Sequence, residues 1–334
     1  MGNDGSIGRR AVLAAGALLL GAPALGADVR PRLRRLAPGL DRIVAQGTAV
    51  EVIATGVKWA EGPLWLPSQR ALLFTDPPAN IIRRWSPARG ARVFMSPSGA
   101  PGTDPRQIRE PGANGLALDR AGRLLIANSG GRSIDRVDLR TGARTMLVSR
   151  YGGRRFNSPN DMHVARDGAI YFTDPPYGLT EGDASPLKEQ PANGVYRWVE
   201  GQQPILIDGT LSRPNGIALS PDERRLFVSV SEETAPRIMV YDLDRRGLPI
   251  RSRVWLDAKP LQVPGAKGLP DGMKIAPDGT MFCSVPGGMM ILTPDATPLG
   301  LVEADGPIAN CALGAQSRTL FMTASDRVLC MPLR

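Results

Sequence analysis

The sequence predicts an all-β protein, a six-bladed β-propeller whose ring is closed by an N-terminal strand that completes the last blade. A short cassette recurs six times along the 334 residues. In each copy, a residue with a side-chain oxygen precedes an apolar run, a tight turn and a second apolar run, as in a hairpin. Successive copies begin 39 to 56 residues apart, which is the length of a four-stranded blade and typical of propellers. Helical periodicity is nearly absent.

The six copies follow one another without an intervening linker. In chain order they open at Glu61 (EGPLWLPSQRALLFTD), Asn114 (NGLALDRAGRLLIAN), Asn160 (NDMHVARDGAIYFTD), Asn215 (NGIALSPDERRLFVS), Asp271 (DGMKIAPDGTMFCS) and Asn310 (NCALGAQSRTLFMT). After Asn310 only three strand-like runs remain, whereas residues 50–54 form a strand without a blade. We therefore expect the N-terminal strand to complete the last blade, which removes both open sheet edges.

The chain divides into three predicted segments. Residues 1–27 carry Arg9-Arg10 before a short apolar run, which is typical of a cleaved export signal of the twin-arginine type. An uncleaved anchor helix is the alternative, but the apolar run is short for a membrane span. Residues 28–48 are expected to be a lead-in and residues 49–334 the propeller. The signal predicts a periplasmic or secreted protein with no stable membrane insertion after cleavage.

Composition narrows the classes of partner and chemistry. The net charge is +9, but the arginines are scattered over turns without interleaved aromatic residues, so we expect no nucleic-acid partner. The single histidine, His163, excludes a zinc site with several histidines. A Ser-His-Asp triad would need this one histidine, and the sequence contains no G-x-S-x-G motif. Cys311 and Cys330 flank two strands, and the sequence leaves open whether they pair or remain free thiols.

The six residues that open the copies, here called the opening residues, all carry a side-chain oxygen. The innermost strands of a propeller surround its channel, so equivalent side chains converge on the axis. Two carboxylates and several amide carbonyls suit a hard cation such as Ca²⁺, Mg²⁺ or Mn²⁺. For a single Asn-Gly or Asp-Gly pair a simple turn is the alternative, but Glu61 does not fit that interpretation. Asp76 and Asp174, which end equivalent strands, are expected to cap turns.

Five motifs are similar to those of the SMP-30/gluconolactonase/regucalcin-like family of metal-dependent lactonases with six-bladed propellers. They are EGPLW at 61–65, FNSPND at 156–161, YFTDPPYG at 171–178, RPNGIALSPDE at 213–223 and LPDGMKIAPDG at 269–279. The resemblance covers roughly residues 50–334. It implies one divalent cation, Ca²⁺ first and Mg²⁺, Mn²⁺ or Zn²⁺ as alternatives, held by Glu61, Asn215 and Asp271 with Asn160 facing the site.

The resemblance implies hydrolysis of a sugar lactone, the small-molecule substrate. A cation in this site polarises the lactone carbonyl and lowers the pKa of a bound water. Asp271 is our first candidate for the base that takes the proton of the water, and Asp161 is the second. The expected substrate-binding residues are Asn160, Arg155, Asn114 and Tyr177. Residues 178–193 form a long polar connection that is expected to cover the entrance.

Two other functions remain open at this point. The same metal site can serve hydrolysis of another ester or of an organophosphate, because the pocket wall selects the substrate. Alternatively, the protein is a non-catalytic, calcium-stabilised periplasmic binding propeller. Relatives often carry a histidine where this chain has Ser129, which leaves the substrate open. The sequence does not specify the oligomeric state.

Overall fold

The computed structural model describes residues 30–334, which form six antiparallel blades around one axis. The innermost strands of neighbouring blades contact each other in turn until the ring closes. The predicted all-β six-bladed propeller is therefore confirmed. Two strands precede the first blade: β1 (Arg32–Arg35) and β2 (Glu51–Thr55).

Blades 1 to 3 follow, each with its strands in sequence order from the axis outward, and a two-stranded hairpin separates blades 2 and 3. Their strands are β3 (Glu61–Leu66), β4 (Ala71–Asp76), β5 (Ile81–Ser86), β6 (Gly90–Met95), β7 (Ala113–Leu118), β8 (Leu124–Asn128), β9 (Ser133–Val137), β10 (Arg144–Val148), the hairpin β11 (Arg150–Tyr151) and β12 (Arg154–Arg155), β13 (Met162–Val164), β14 (Ile170–Asp174), β15 (Gly194–Trp198) and β16 (Ile205–Asp208).

Blades 4 to 6 repeat the arrangement. Their strands are β17 (Pro214–Leu219), β18 (Arg225–Val230), β19 (Arg237–Leu243), β20 (Pro249–Asp257), β21 (Met273–Ile275), β22 (Met281–Val285), β23 (Gly288–Leu292), β24 (Pro298–Glu303), β25 (Ile308–Gly314), β26 (Thr319–Ala324) and β27 (Arg327–Pro332). Short 3₁₀ helices lie at Pro38–Arg42, Pro67–Gln69, Pro77–Ala79, Gly182–Ala184 and Lys259–Leu261. Within residues 30–334, no helix is long and apolar enough to cross a membrane. The predicted export signal, residues 1–27, lies outside the described residues and stays a prediction.

Strand β2 closes the ring. It pairs antiparallel with β27, with Glu51 opposite Cys330, and supplies the fourth strand of blade 6. This is the closure that the sequence predicts. Cys311 lies on β25, so β26 separates it from Cys330, and two strand spacings of about 4.8 Å exceed the reach of a disulfide. All three cysteines are free thiols.

The lead-in segment contains a strand that the sequence did not predict. Strand β1 pairs with the outer edge of β24, with Arg32 opposite Glu303, so blade 5 has a fifth strand. Leu40 and Val44, which follow it, are buried in a core shared by blades 5 and 6. The lead-in therefore packs across the junction between blade 5 and blade 6, the blade that β2 completes.

Glycines after the opening residues let neighbouring blades approach closely. A Cβ on Gly62 would lie 2.0 Å from the carbonyl oxygen of Asn114, and one on Gly216 would lie 2.2 Å from that of Asp271. The hydroxyl of Thr75 donates to the carbonyl of Asn114 at 3.0 Å, which links blade 1 to blade 2. These contacts bring the opening residues of different blades together, because no side chain keeps the backbones apart.

Two aspartates fix the loops that enter the inner strands. Asp76 accepts hydrogen bonds from the backbone N–H groups of Lys58 and Trp59 at 3.0 and 3.2 Å. Asp174 accepts one from the N–H of Asn157 at 2.7 Å, while its second oxygen is buried without a partner. Both aspartates therefore have the expected structural role, but not as caps of the turns that follow them: Asp76 makes no side-chain hydrogen bond at the 3₁₀ turn Pro77–Ala79, and the bonds of both go to loops earlier in the chain. Burial raises the pKa of Asp174 to about 7.

The raised pKa of Asp174 makes the stability of the fold depend on pH. A carboxyl whose pKa is higher in the folded state stabilises at low pH, and this contribution is lost as the pH rises through 7. We expect Asp174→Asn to reduce the fall in the free energy of unfolding between pH 5 and pH 8 by roughly 2 kcal/mol. Urea unfolding at both pH values measures it, with the exposed turn residue Asp278→Asn as control. An unchanged pH dependence in Asp174→Asn would contradict the assignment.

Candidate active site

Five of the six opening residues line one cavity of about 760 Å³. They come from five consecutive blades, in agreement with the expectation that equivalent positions converge. These residues are Glu61, Asn114, Asn160, Asn215 and Asp271. All four predicted metal ligands are thus on this wall, as are three of the four predicted substrate-binding residues, Asn114, Asn160 and Tyr177, although what they bind stays a prediction.

The sixth opening residue, Asn310, is buried beside the cavity and connects two carboxylates. Its Nδ2 lies 3.3 Å from Oε2 of Glu61 and 3.5 Å from Oδ2 of Asp161. The same Glu61 oxygen accepts the N–H of Gly62 at 2.8 Å. Asp161 is buried and does not line the cavity, and its Oδ1 accepts the N–H of Met162 at 2.8 Å. Carboxylates from blades 1 and 3 therefore share one amide group near the axis.

The ionised forms of the Glu61 and Asp271 carboxyl groups are poorly stabilised by the surrounding protein. Burial raises the pKa of Glu61 to about 8, and the nearby Asp161 adds to the shift, whereas neutral donors on Gly62 and Asn310 oppose it. Burial likewise raises the pKa of Asp271 well above its usual range, followed by the charges of Glu61 and Asp161. Ionised carboxylates buried this close together are stable only if a cation neutralises them.

The available donors fit a hard cation. Within residues 30–334, no group of three or more His, Cys, Asp or Glu side chains has a metal-binding arrangement by itself. A cation at this cavity would therefore need amide oxygens besides carboxylates, which is the donor set that Ca²⁺ accepts. Nδ2 of Asn215 donates to the hydroxyl of Ser231 at 3.0 Å, and this would leave the side-chain carbonyl oxygen of Asn215 to contact a cation.

Tyr177 and the loop that follows it form part of the cavity wall. The side chain of Tyr177 lines the cavity, and burial raises the pKa of its hydroxyl. From residues 178–193, Asp183 also lines the cavity and pairs with Arg213, which approaches from blade 4. Asn193 donates to Asp183 at 2.9 Å. The loop expected to cover the entrance is thus tied to the rim by the ion pair with Arg213 and by a hydrogen bond from Asn193 to the carbonyl of Ser212 at 2.8 Å, while the bond between Asn193 and Asp183 braces the loop itself.

Besides Asp161, three further residues singled out in the sequence do not line the cavity. The guanidinium of Arg155 donates to the carbonyl of Gly131 at 2.9 Å, so its placement gives no support to a substrate contact. His163 lies on β13 away from the cavity, and burial lowers its pKa to about 4. The hydroxyl of Ser129 donates to the carbonyl of Pro159 at 2.9 Å.

Other residues of the cavity wall were not identified from the sequence. They lie on loops, where no periodic pattern marks a side chain as facing the axis. The polar and aromatic ones are Trp59, Arg109, Glu110, Ser212, Arg213, Ser231, Glu232, Glu233 and Thr234. Trp59 and Arg213 each lie two residues before an opening residue, and this spacing is the signal that could have been used.

This chain is similar to known proteins in both sequence and fold. The family model described as "SMP-30/Gluconolactonase/LRE-like region" matches residues 59–326. A gluconolactonase of Zymomonas mobilis is 46% identical over 303 residues, which are 89% of this chain and 85% of that protein. A gluconolactonase structure from Xanthomonas campestris superposes with a TM-score of 0.78 at 30% identity, covering 94% of this chain and 98% of that one. A calcium-binding regucalcin from Agrobacterium tumefaciens, at 19% identity and a TM-score of 0.65 over 85% and 93% of the two chains, shares the fold.

Proposed function

The chain belongs to the SMP-30/gluconolactonase/LRE-like family, and on that premise we propose that it is a hydrolase that opens the ring ester of a sugar lactone. The similarity to gluconolactonases over most of the chain supports this activity. One observation carries the assignment of the site. Carboxylates and amides from separate blades line a single cavity, and their charge and chemistry suit a cation that activates an ester.

We propose that Glu61, Asn160, Asn215 and Asp271 hold one divalent cation, Ca²⁺. A bound cation would polarise the lactone carbonyl and lower the pKa of water. The raised pKa of Glu61 and Asp271 supports the choice of these two carboxylates, because Glu61 is buried and Asp271 half-buried, and both lie near like charges. Ca²⁺ is preferred to Zn²⁺ because the cavity wall contains oxygen donors and neither His163 nor a cysteine.

Side chains of the protein transfer the proton and orient the substrate. Asp271 accepts a proton from the water that adds to the carbonyl carbon, and returns it to the ring oxygen as the C–O bond breaks. The product is a hydroxy acid, and Asp271 is restored. Asp271 is preferred to Asp161 as base because it lines the cavity whereas Asp161 does not. Asn114, Asn160 and Tyr177 are positioned to orient the lactone.

A substrate panel tests this function against its alternatives. Protein treated with a chelator is assayed on aldonolactones, p-nitrophenyl acetate and an organophosphate triester, without metal and with Ca²⁺, Mg²⁺, Mn²⁺ or Zn²⁺. We expect metal-dependent turnover of the lactones, with heat-denatured protein as the control for spontaneous opening. If Ca²⁺ raises the melting temperature but no substrate is turned over with any metal, the non-catalytic calcium-stabilised propeller is the correct description. Turnover confined to the triester or the acetate would favour the other hydrolase.

A further inference from the structure

Glu110 is a carboxylate of the cavity wall to which the proposed mechanism gives no role. It lies on the loop that leads into β7 and lines the cavity. Its Oε2 is shielded from solvent and makes no hydrogen bond with any residue of the described chain. A buried acceptor without a partner costs about 1–3 kcal/mol. Such a cost is commonly retained where a ligand supplies the missing donor.

The neighbouring arginine does not satisfy this carboxylate. Arg109 directs Nη2 to the carbonyl oxygen of Tyr177 at 2.6 Å. Within residues 30–334, Glu110 forms no salt bridge with a lysine or an arginine. Burial raises the pKa of Glu110 to about 7, and the charge of Arg109 opposes this only in part. Because Oε2 is shielded from solvent, the other carboxylate oxygen, Oε1, is the one left to accept a hydrogen bond from a ligand in the cavity.

The loop that carries Glu110 is held firmly by the segment after β14. The N–H groups of Arg109 and Glu110 both donate to the carbonyl oxygen of Gly178, at 2.8 and 3.3 Å. Ile108 also forms a β-bridge with Leu179. The backbone under Glu110 is thus fixed before a ligand enters, and a fixed acceptor binds a ligand donor with little loss of conformational entropy.

Glu110 is close to the proposed reaction centre without belonging to the opening residues. Its charge contributes to the raised pKa of both Glu61 and Asp271. Glu110 lines the same cavity as Glu61 and Asp271, so a lactone whose ring ester lies at those two carboxylates places its remaining ring atoms in the space that Glu110 also borders. In a sugar lactone these atoms carry hydroxyl groups, which are the donors that Glu110 lacks.

We propose that Glu110 accepts a hydrogen bond from a ring hydroxyl of the sugar lactone and so selects hydroxylated lactones over unsubstituted ones. The proposal rests on the lactonase function. A buried acceptor that is placed to bind a substrate hydroxyl discriminates strongly against an analogue that lacks this hydroxyl, because the acceptor then remains unpaired. Glu110 is thus a specificity-determining residue, and it has no part in the proton transfer assigned to Asp271.

The first test compares two six-membered lactones. D-glucono-1,5-lactone carries ring hydroxyls, whereas δ-valerolactone has the same ring ester without them. We expect Glu110→Ala to lower kcat/KM for the hydroxylated lactone by about 10–100-fold, the value of a hydrogen bond to a charged group, and Glu110→Gln to cause a smaller loss. For δ-valerolactone we expect a change of less than about threefold. Equal losses on both lactones, or no loss on either, would overturn the proposal.

Glu233→Ala is the matched control, because its exposed carboxylate lines the same cavity at the rim. It should leave the ratio of the two kcat/KM values unchanged. If the Glu233 variant shifts the ratio as much as the Glu110 variant, selection arises from the general charge of the cavity, and the specific role of Glu110 is refuted.

The second test needs no turnover. 1,5-anhydro-D-glucitol has the hydroxylated ring of the gluconolactone but no carbonyl, so its binding can be measured by calorimetry in wild type and variants. We expect Kd to rise about tenfold or more in Glu110→Ala. An unchanged Kd, or no binding to the wild type, would contradict the role of Glu110. A wild type that binds the anhydroglucitol but opens no lactone refutes the proposed function alone.

Discussion

Replacing Asp271 by asparagine should lower kcat for lactone hydrolysis by about 10²–10⁴-fold, the usual contribution of a general base. Asparagine keeps the size of the side chain but cannot take a proton from water. The assay is run at saturating Ca²⁺, so that weaker metal binding by the variant does not account for the loss. The fold should be retained, since removal of one buried charge from the group of Glu61 and Asp161 reduces repulsion.

The control for this prediction is Glu233→Gln, which removes a carboxylate from the rim of the same cavity. Its kcat should stay within about twofold of the wild type, since surface changes away from the chemistry have small effects. Circular dichroism and the melting temperature establish that both variants are folded. If Asp271→Asn keeps more than a tenth of the wild-type kcat, Asp271 is not the base, and Asp161→Asn becomes the variant to measure.

Removal of the metal should abolish turnover and destabilise the wild-type protein. Without a cation, the buried carboxylates of Glu61 and Asp271 repel each other and Asp161. Ca²⁺ at a hundred times its Kd adds about 2.7 kcal/mol to stability. For a domain of this size, we expect a rise in melting temperature of roughly 5 °C or more. Scanning calorimetry in chelator and in excess Ca²⁺ measures it.

Glu61→Gln tests whether the cation binds at this carboxylate, because the variant and the wild type should differ in melting temperature in chelator and in their response to Ca²⁺. In chelator, the variant should melt above the wild type, because a buried carboxylate with a raised pKa has been replaced by a neutral amide. In Ca²⁺ it should gain little, because a charged ligand is missing. The matched control is Glu181→Gln on the exposed loop, which should respond to Ca²⁺ as the wild type does. An equal Ca²⁺-induced shift in Glu61→Gln and wild type would show that the cation binds elsewhere.

Much of the ring could be predicted because a propeller repeats both its pattern and its geometry. Equivalent positions of the cassette must face equivalent directions. The sequence alone therefore predicts that Glu61, Asn215 and Asp271 line one cavity. The missing strand after Asn310 likewise predicted the pairing of β2 with β27. In each case the information lies in the comparison between copies, and a single copy would have been indistinguishable from a turn.

The remaining features depend on contacts that leave no periodic trace in the sequence. Strand β1 has the sequence RLRR, without apolar alternation, and it forms because the edge of β24 offers unpaired backbone groups. Glu110 and Arg213 reach the cavity from loops whose paths depend on the segment after β14. Arg155 was expected at the cavity from its proximity to Asn160 in the sequence. The hairpin of β11 and β12 instead directs it to Gly131.

The central claim is that side-chain oxygens from separate blades hold one divalent cation in the cavity. Anomalous diffraction from crystals grown in Ca²⁺, with Mn²⁺-soaked crystals for a stronger signal, locates such an ion directly. We expect one peak within about 2.3–2.6 Å of carboxylate oxygens of both Glu61 and Asp271 in the Ca²⁺ crystals. No peak in the cavity, or a peak that Glu61 and Asp271 do not share, would contradict the account.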